Sequence, residues 1–214
     1  MIPRVIYTAF MQQGDPPDHA DDLEAAWRAH HPEWEFVRLT LDDRPVVLNN
    51  DAWEMTFRLD EPAASVSRLN ILRYEVLARF GGVFIDHDHL PLRPIDELLE
   101  NVSGFCTTTG GDGQPHQLSC SIVGAKRNHP AMWHAVRDLP RSIETYRGVW
   151  DQTGPGFLSR VIDGHGHFRQ WVTFHWALFN LPEAEAKDCD AAFGYVADAY
   201  QSDSSMTVDS VESV

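Results

Sequence analysis

The sequence predicts an α/β protein in which helices flank a central, mostly parallel sheet. Short apolar runs recur at 4–10, 35–39, 83–88, 103–107 and 121–125, and segments of helical periodicity separate most of them. No repeat or internal linker interrupts the alternation. With 214 residues, 43% of them hydrophobic and 11% aromatic, the chain has enough apolar material for a real core. The expected organisation is one domain over 1–200 and a polar tail or lid over 201–214.

In order, residues 4–10 read as a buried strand and 20–30 as a helix opening after Pro16-Pro17-Asp18. Glu35-Phe-Val-Arg-Leu39 is a second strand. From Pro62 to Phe80, Leu69, Leu72, Val76 and Phe80 recur at spacings of three and four, which predicts a helix carrying Asn70 and Arg73 on one face. Gly81 and Gly82 end it, because glycine accepts the left-handed backbone common at helix C-termini. A strand over 83–88 follows, then a turn bounded by Pro91 and Pro94 and a short helix near Ile95 to Leu99.

Ser103 to Thr107 and Ser121 to Ala125 predict two more strands, joined by a Gly- and Thr-rich loop from Thr107 to Pro115. A helix is expected from Pro130 to Asp138. Thr153-Gly-Pro-Gly156 is a turn opening another through Val161, and Gln170 to His175 is strand-like. Beyond Tyr200 the chain is rich in Ser and Asp, the composition of a mobile tail unless a ligand orders it.

The chemistry concentrates in Ala78-Arg-Phe-Gly-Gly-Val-Phe-Ile-Asp-His-Asp-His89. In an extended strand Phe84, Asp86 and Asp88 share one face and Val83, Ile85 and His87 the other, so the two carboxylates can converge on one cation. They stand at the carboxyl end of a buried strand, where α/β sheets bind ligands. On the same geometry His87 and His89 lie opposite the acids, which favours a hard cation held by oxygen over a four-ligand zinc site. Arg73, on the preceding helix, has a guanidinium suited to a phosphate; an ordinary salt bridge with one of the many acids is the alternative.

The net charge of 17 − 32 = −15 disfavours nucleic acid and anionic membrane surfaces as partners, without excluding modified nucleic acid. An anionic ligand would need local positive charge, which a divalent cation on Asp86 and Asp88 supplies. Cys106, Cys120 and Cys189 have no metal-ligand spacing and read as buried, reduced thiols. No signal peptide and no apolar span of about 20 residues is visible, so a cytoplasmic protein is expected. His165-Gly-His167 lacks partners at metal-site spacing and reads as a loop, and His30-His31 as a solvated helix end. P-loop, GxGxxG and GxSxG patterns are absent.

The block from Asn70 through Asp88, followed by Pro91-Leu-Arg-Pro-Ile-Asp96, resembles the sugar-binding DXD region of glycosyltransferase family 32. That group includes yeast initiating mannosyltransferases, bacterial capsular-sugar transferases and, more distantly, clostridial glucosylating toxins. Ile2-Pro-Arg-Val-Ile-Tyr-Thr-Ala-Phe10, His31-Pro-Glu-Trp34 and Thr153-Gly-Pro155 agree with its opening strand, second-strand approach and downstream turn. The resemblance implies a GT-A fold, a nucleotide-sugar donor, a divalent cation (Mn²⁺ or Mg²⁺) and transfer of a hexose with retention. By position, Asp88 would ligate the metal and Asp86 would touch metal or ribose. Arg73 would reach the donor, completing a catalytic set with the two acids, and Phe10 would stack near the base. Thr8, Asn70, Phe84, Gly154 and Pro155 would complete the donor site.

The chain departs from the family at Asn70 (usually Asp), Phe84 (usually Tyr) and Cys120 (usually Asn). The C-terminal His and Ser-Trp signature is replaced by Tyr195-Val-Ala-Asp198 and Ser204-Ser-Met206. Asp198 or Asp203 would substitute a harder oxygen ligand for the lost histidine. The acceptor is left open among a glycan, a lipid-linked sugar, a protein or another hydroxyl compound. Two other readings stay open: a metal-dependent phosphoesterase or nuclease, and a noncatalytic nucleotide-sugar-binding module.

Overall fold

The computed structural model describes residues 1–11, 16–110 and 117–197, apart from the side chains of 44–46. Strands β1 (Val5–Phe10), β2 (Glu35–Thr40), β3 (Gly82–Ile85), β5 (Gly104–Thr108), β6 (Leu118–Ala125) and β7 (Val172–Phe174) form a six-stranded sheet in the order β2-β1-β3-β6-β5-β7. Only β6 runs against the other five, pairing antiparallel with both β3 and β5. The mostly parallel, helix-flanked α/β architecture expected from the sequence is therefore present. A second, two-stranded sheet pairs β4 (His89–Pro91) with β8 (Gly194–Val196) and was not foreseen.

The helices are α1 (Ala20–His30), α2 (Asn50–Met55), α3 (Ala63–Arg79), α4 (Pro130–Thr145), α5 (Val149–Gln152), α6 (Pro155–Gly164) and α7 (Glu183–Lys187). Strand alternation divides the core between the two faces of the sheet. Phe84 enters one cluster with Ile71, Leu72, Leu77, Met132, Leu139 and Phe157. Its neighbours Val83 and Ile85 enter the other with Ile6, Phe10, Leu23 and Trp27.

Between α3 and β3, Gly81 adopts φ +71°, and its N–H donates to the Leu77 carbonyl at 3.1 Å, closing the helix. A Cβ there would lie 2.4 Å from the Arg127 backbone nitrogen, so the position excludes any side chain. His31 is not solvated: it is 2% exposed, donates from Nδ1 to the Trp27 carbonyl and accepts the Ile95 N–H on Nε2 at 3.0 Å. That pairing requires neutral imidazole, and burial duly pushes its pKa below the ordinary value.

Helix α4 does not stop at Asp138 but runs on through Pro140 to Thr145. A proline there deprives the Val136 carbonyl of its intrahelical donor. The Asn49 side-chain amide replaces it, donating to that carbonyl at 2.6 Å. Asn49 also caps α2 by accepting from the Ala52 N–H, while its own N–H donates to Glu75 at 2.7 Å. Cys106 and Cys120 are buried free thiols and Cys189 is half-buried. No helix among the described residues is long and apolar enough to cross a membrane.

Candidate active site

Strand β3 ends at Ile85, and residues 86–88 form a turn rather than a continuing strand, closed by the His89 N–H on the Asp86 carbonyl at 3.2 Å. The strand expected over 83–88 is thus shorter. Phe84 and Asp86 still share a side, because the Asp86 N–H extends the ladder to the Ser121 carbonyl at 2.8 Å. Past Asp86 the alternation lapses. Asp88 is brought near Asp86 by the turn, close enough for its charge to act on the Asp86 carboxyl.

Arg73 is 1% exposed; its guanidinium donates to the Asp86 carboxylate and to the Asn70 side-chain oxygen and lies 5.0 Å over the Phe84 ring. It therefore holds Asp86 in place from beneath, and the salt-bridge alternative describes its contacts. Burial pushes the Asp86 carboxyl above its ordinary range, against the opposing pull of Arg73. Phe84, fully buried, belongs to this floor.

Asp88 pairs with His89, whose Nδ1 lies 2.6 Å from its carboxylate. The expectation that His89 lies opposite the acids is therefore incorrect, and the turn is the reason. Nε2 of His89 faces the side-chain oxygen of Asn180 at 2.9 Å. The orientation of Asn180 is fixed, since its amide donates to Thr107 Oγ1 and toward the Thr108 carbonyl, while its oxygen also accepts from Ser121 Oγ at 3.0 Å. Both nitrogens of His89 thus donate to acceptors, and the ring carries a proton on each. Burial opposes that charge, but Asp88 outweighs it and raises the His89 pKa to about 9. Burial likewise pushes Asp88 up, yet the His89 charge and hydrogen bond prevail and bring it down to about 2.

The remaining expected residues divide in two. Asn70, buried, donates to Thr153 Oγ1 at 3.3 Å, and Tyr74 donates to the Thr153 carbonyl at 2.9 Å, tying α3 to the Thr153-Gly154-Pro155 turn where α6 begins. Thr8 is fully buried and its hydroxyl has no hydrogen-bond partner among the described residues. Phe10 is 5% exposed with its ring stacked on His87, centroids 5.6 Å apart, so that face is already covered. His87 in turn leans on His19 at 5.5 Å.

Asp198 and Asp203 lie outside the described residues. The chain leading to them passes this site: β8 pairs with β4, and the Ala197 N–H donates to the Asp88 carbonyl at 2.8 Å. Sequence reasoning missed Asn180, Ser121 and the tie between His89 and Asp88.

The donor set suits a hard divalent cation. Among the described residues no three or more His, Cys, Asp or Glu side chains form a group that could hold a metal ion. Two neighbouring carboxylates, 33% and 20% exposed, match the one or two that Mg²⁺-like ions use when substrate phosphates and water complete the shell.

Comparison with known proteins gives sequence relatives and the fold. The family described as "Glycosyltransferase sugar-binding region containing DXD motif" matches residues 17–104. Inositol phosphoceramide mannosyltransferase 3 of Schizosaccharomyces pombe is 26% identical over 212 residues, spanning 90% of this chain and 58% of that protein. A mannosyl phosphorylinositol ceramide synthase of Saccharomyces cerevisiae is 24% identical over 173 residues, spanning 79% and 44%. The chain thus covers about half the length of these relatives. Among solved structures, the PaToxG glycosyltransferase superposes with a TM-score of 0.60 at 10% identity, covering 77% of this chain and 70% of that one. The UDP-bound glycosyltransferase domain of the YGT toxin gives 0.57 at 10%, covering 92% and 83%. Residues 17–104 are therefore similar to the DXD-containing sugar-binding region of glycosyltransferases, and the chain has the GT-A fold.

Proposed function

We propose that this protein is a glycosyltransferase that moves a hexose from a nucleotide-sugar to a hydroxyl acceptor with the help of Mn²⁺ or Mg²⁺. The observation that carries the reading is the acid pair at the end of β3, each member held by its own cation: Asp86 by Arg73 and Asp88 by His89. A carboxylate oriented by hydrogen bonds behind it is pre-organised for a ligand in front.

In the reaction, the bond between the anomeric carbon and the diphosphate breaks with its electron pair leaving on oxygen. The acceptor oxygen bonds to that carbon and releases its proton. A divalent cation held by Asp86 and Asp88 would supply positive charge to the diphosphate as the bond breaks. Arg73 and His89 hold the two carboxylates in place, so little reorganisation is left for the reaction itself. Asp198 and Asp203 are proposed as further oxygen ligands. The Ala197–Asp88 hydrogen bond supports this by bringing the start of that segment to the acid turn.

The names of the relatives favour mannose as the hexose and a glycolipid headgroup as the acceptor, with a glycan as the other candidate. Retention at the anomeric carbon is expected. The test is a thermal-shift screen of nucleotide-sugars with and without Mn²⁺, on the native chain and on Asp88→Asn, followed by NMR of the product anomer. Metal-dependent stabilisation by one nucleotide-sugar, absent in the variant, is the expected result. Donor affinity unchanged in excess chelator would overturn the metal role. Metal-dependent phosphate-ester hydrolysis without any nucleotide-sugar preference would favour the phosphoesterase reading.

A further inference from the structure

Four side chains with no part in the acid turn meet beside α4. His134 and Asp138 are four apart on that helix and so project from one face. His165 and His167 come from the turn that follows α6, where Gly166 takes the left-handed backbone at φ +69°. Two side-chain contacts fasten this turn to the helix: His134 Nδ1 lies 2.8 Å from His167 Nε2, and His165 Nε2 lies 2.6 Å from a carboxylate oxygen of Asp138. The turn then closes on itself through the Gln170 N–H, which donates to the His167 carbonyl at 2.8 Å, and leads into β7.

The two contacts respond differently to a proton. Between His134 and His167 there is room for one hydrogen: one ring donates it and the other accepts with a bare lone pair. Protonating the acceptor sets two N–H groups face to face and places a positive charge on that ring. The surroundings oppose the charge. The His165 ring centroid is 4.2 Å from that of His134, Arg137 stands beside His134, and the His129 ring, itself next to Lys126, lies 6.4 Å from His167. Asp138, the acid in contact, is already engaged by His165 and Arg137.

We propose that the His134–His167 contact is an acid-sensitive latch: at neutral pH it holds the 165–170 turn on α4, and proton uptake in mild acid opens it while Asp138 keeps hold of His165. Burial, and then the neighbouring histidines, keep His134 and His167 below their ordinary value of 6.5 while the latch is closed. Opened rings regain that value, so opening takes up protons. The closed state is therefore fully stabilised above 6.5 and loses stability as pH falls below it; with two rings involved, the opening constant rises by up to about a hundredfold per pH unit. Burial pushes the Asp138 carboxyl up, but its hydrogen bonds from Arg137 and His165 prevail and hold it below its ordinary range, so that tether stays ionised in mild acid.

The test is amide hydrogen exchange read by NMR at about pH 7.5 and about pH 5.5, corrected for the intrinsic pH dependence of exchange, on the native chain and on His134→Asn, which keeps a hydrogen-bonding amide but takes up no proton. We expect protection of the Gln170 amide to fall about tenfold or more at the lower pH in the native chain and to change little with pH in the variant. Amides within α4 should stay protected at both values, which separates local release from global unfolding. Should His134→Asn fail to fold, imidazole NMR titration of the native chain decides the matter: the His134 and His167 rings should titrate together with the loss of Gln170 protection. Gln170 protection that is unchanged between the two pH values, an equal loss in His134→Asn, or histidine titration that leaves Gln170 protected would overturn the latch.

Discussion

Asn180 presents its side-chain oxygen 2.9 Å from Nε2 of His89, and so orients the ring whose other nitrogen holds Asp88. Partners behind a metal-binding carboxylate typically govern affinity by about 10–100-fold. Asn180→Ala should therefore lower kcat/KM for the nucleotide-sugar on that scale while shifting the melting temperature little. Equal transfer rates in the variant and the native enzyme would show that Asn180 only packs.

Arg73 is nearly inaccessible while Asp86 is one-third exposed, so removing the guanidinium strands a partly buried carboxylate. Arg73→Ala should cost about 3 kcal/mol, the low end for a broken buried pair. Arg79→Ala, at the end of α3, should cost far less. Chemical denaturation of both variants, read beside their transfer rates, checks this; similar losses would contradict the assigned role.

Asn70→Asp should be tolerated. The new carboxylate can still accept from Arg73, and the Thr153 hydroxyl can turn from acceptor to donor toward it. A melting temperature within a few degrees of the native value is expected, and a collapse of stability would mean that the added charge is not absorbed.

His129 is fully buried and caps α4 by accepting the Ala131 N–H on Nδ1 at 3.2 Å. Burial first, then the Lys126 and His167 charges, push its pKa down to about 4. The unfolded chain binds this proton near pH 6.5 and the folded chain near 4, so stability is complete above the upper value and falls as pH drops between them. The loss amounts to about 3 kcal/mol at most. His129→Asn, which keeps a capping oxygen, should flatten the pH dependence of unfolding across that window. An unchanged slope would contradict the assignment.

The amide of Asn49 substitutes for the N–H that Pro140 lacks. Asn49→Ala should destabilise by about 1–3 kcal/mol, and by less in a Pro140→Ala background, where residue 140 can itself donate to Val136. Denaturation of the four-member cycle measures the coupling; strict additivity would refute it.

The alternation of apolar runs and helical stretches exposed the main sheet and α1, α3 and α6 in the sequence, because each is encoded by local periodicity. Asp86 and Arg73 could be singled out because chemistry-bearing residues stand beside strong elements. The 86–88 turn was hidden, since the β4–β8 pairing that takes over after it joins residues about a hundred positions apart. Asn180 and His89 are 91 positions apart and carry no shared motif, and only the folded chain brings them together. The continuation of α4 past Pro140 was equally unreadable, because a proline ordinarily signals a break and its remedy lies in Asn49.

That remedy makes α4 a helix whose hydrogen-bond ladder is completed from outside. Its repair arrives from 87 positions earlier in the chain, so the Val136 carbonyl gains its protein donor only when the segment before α2 has docked. Amide hydrogens around Val136 and Pro140 should exchange through cooperative opening of the α2–α4 unit rather than by fraying from the Thr145 end.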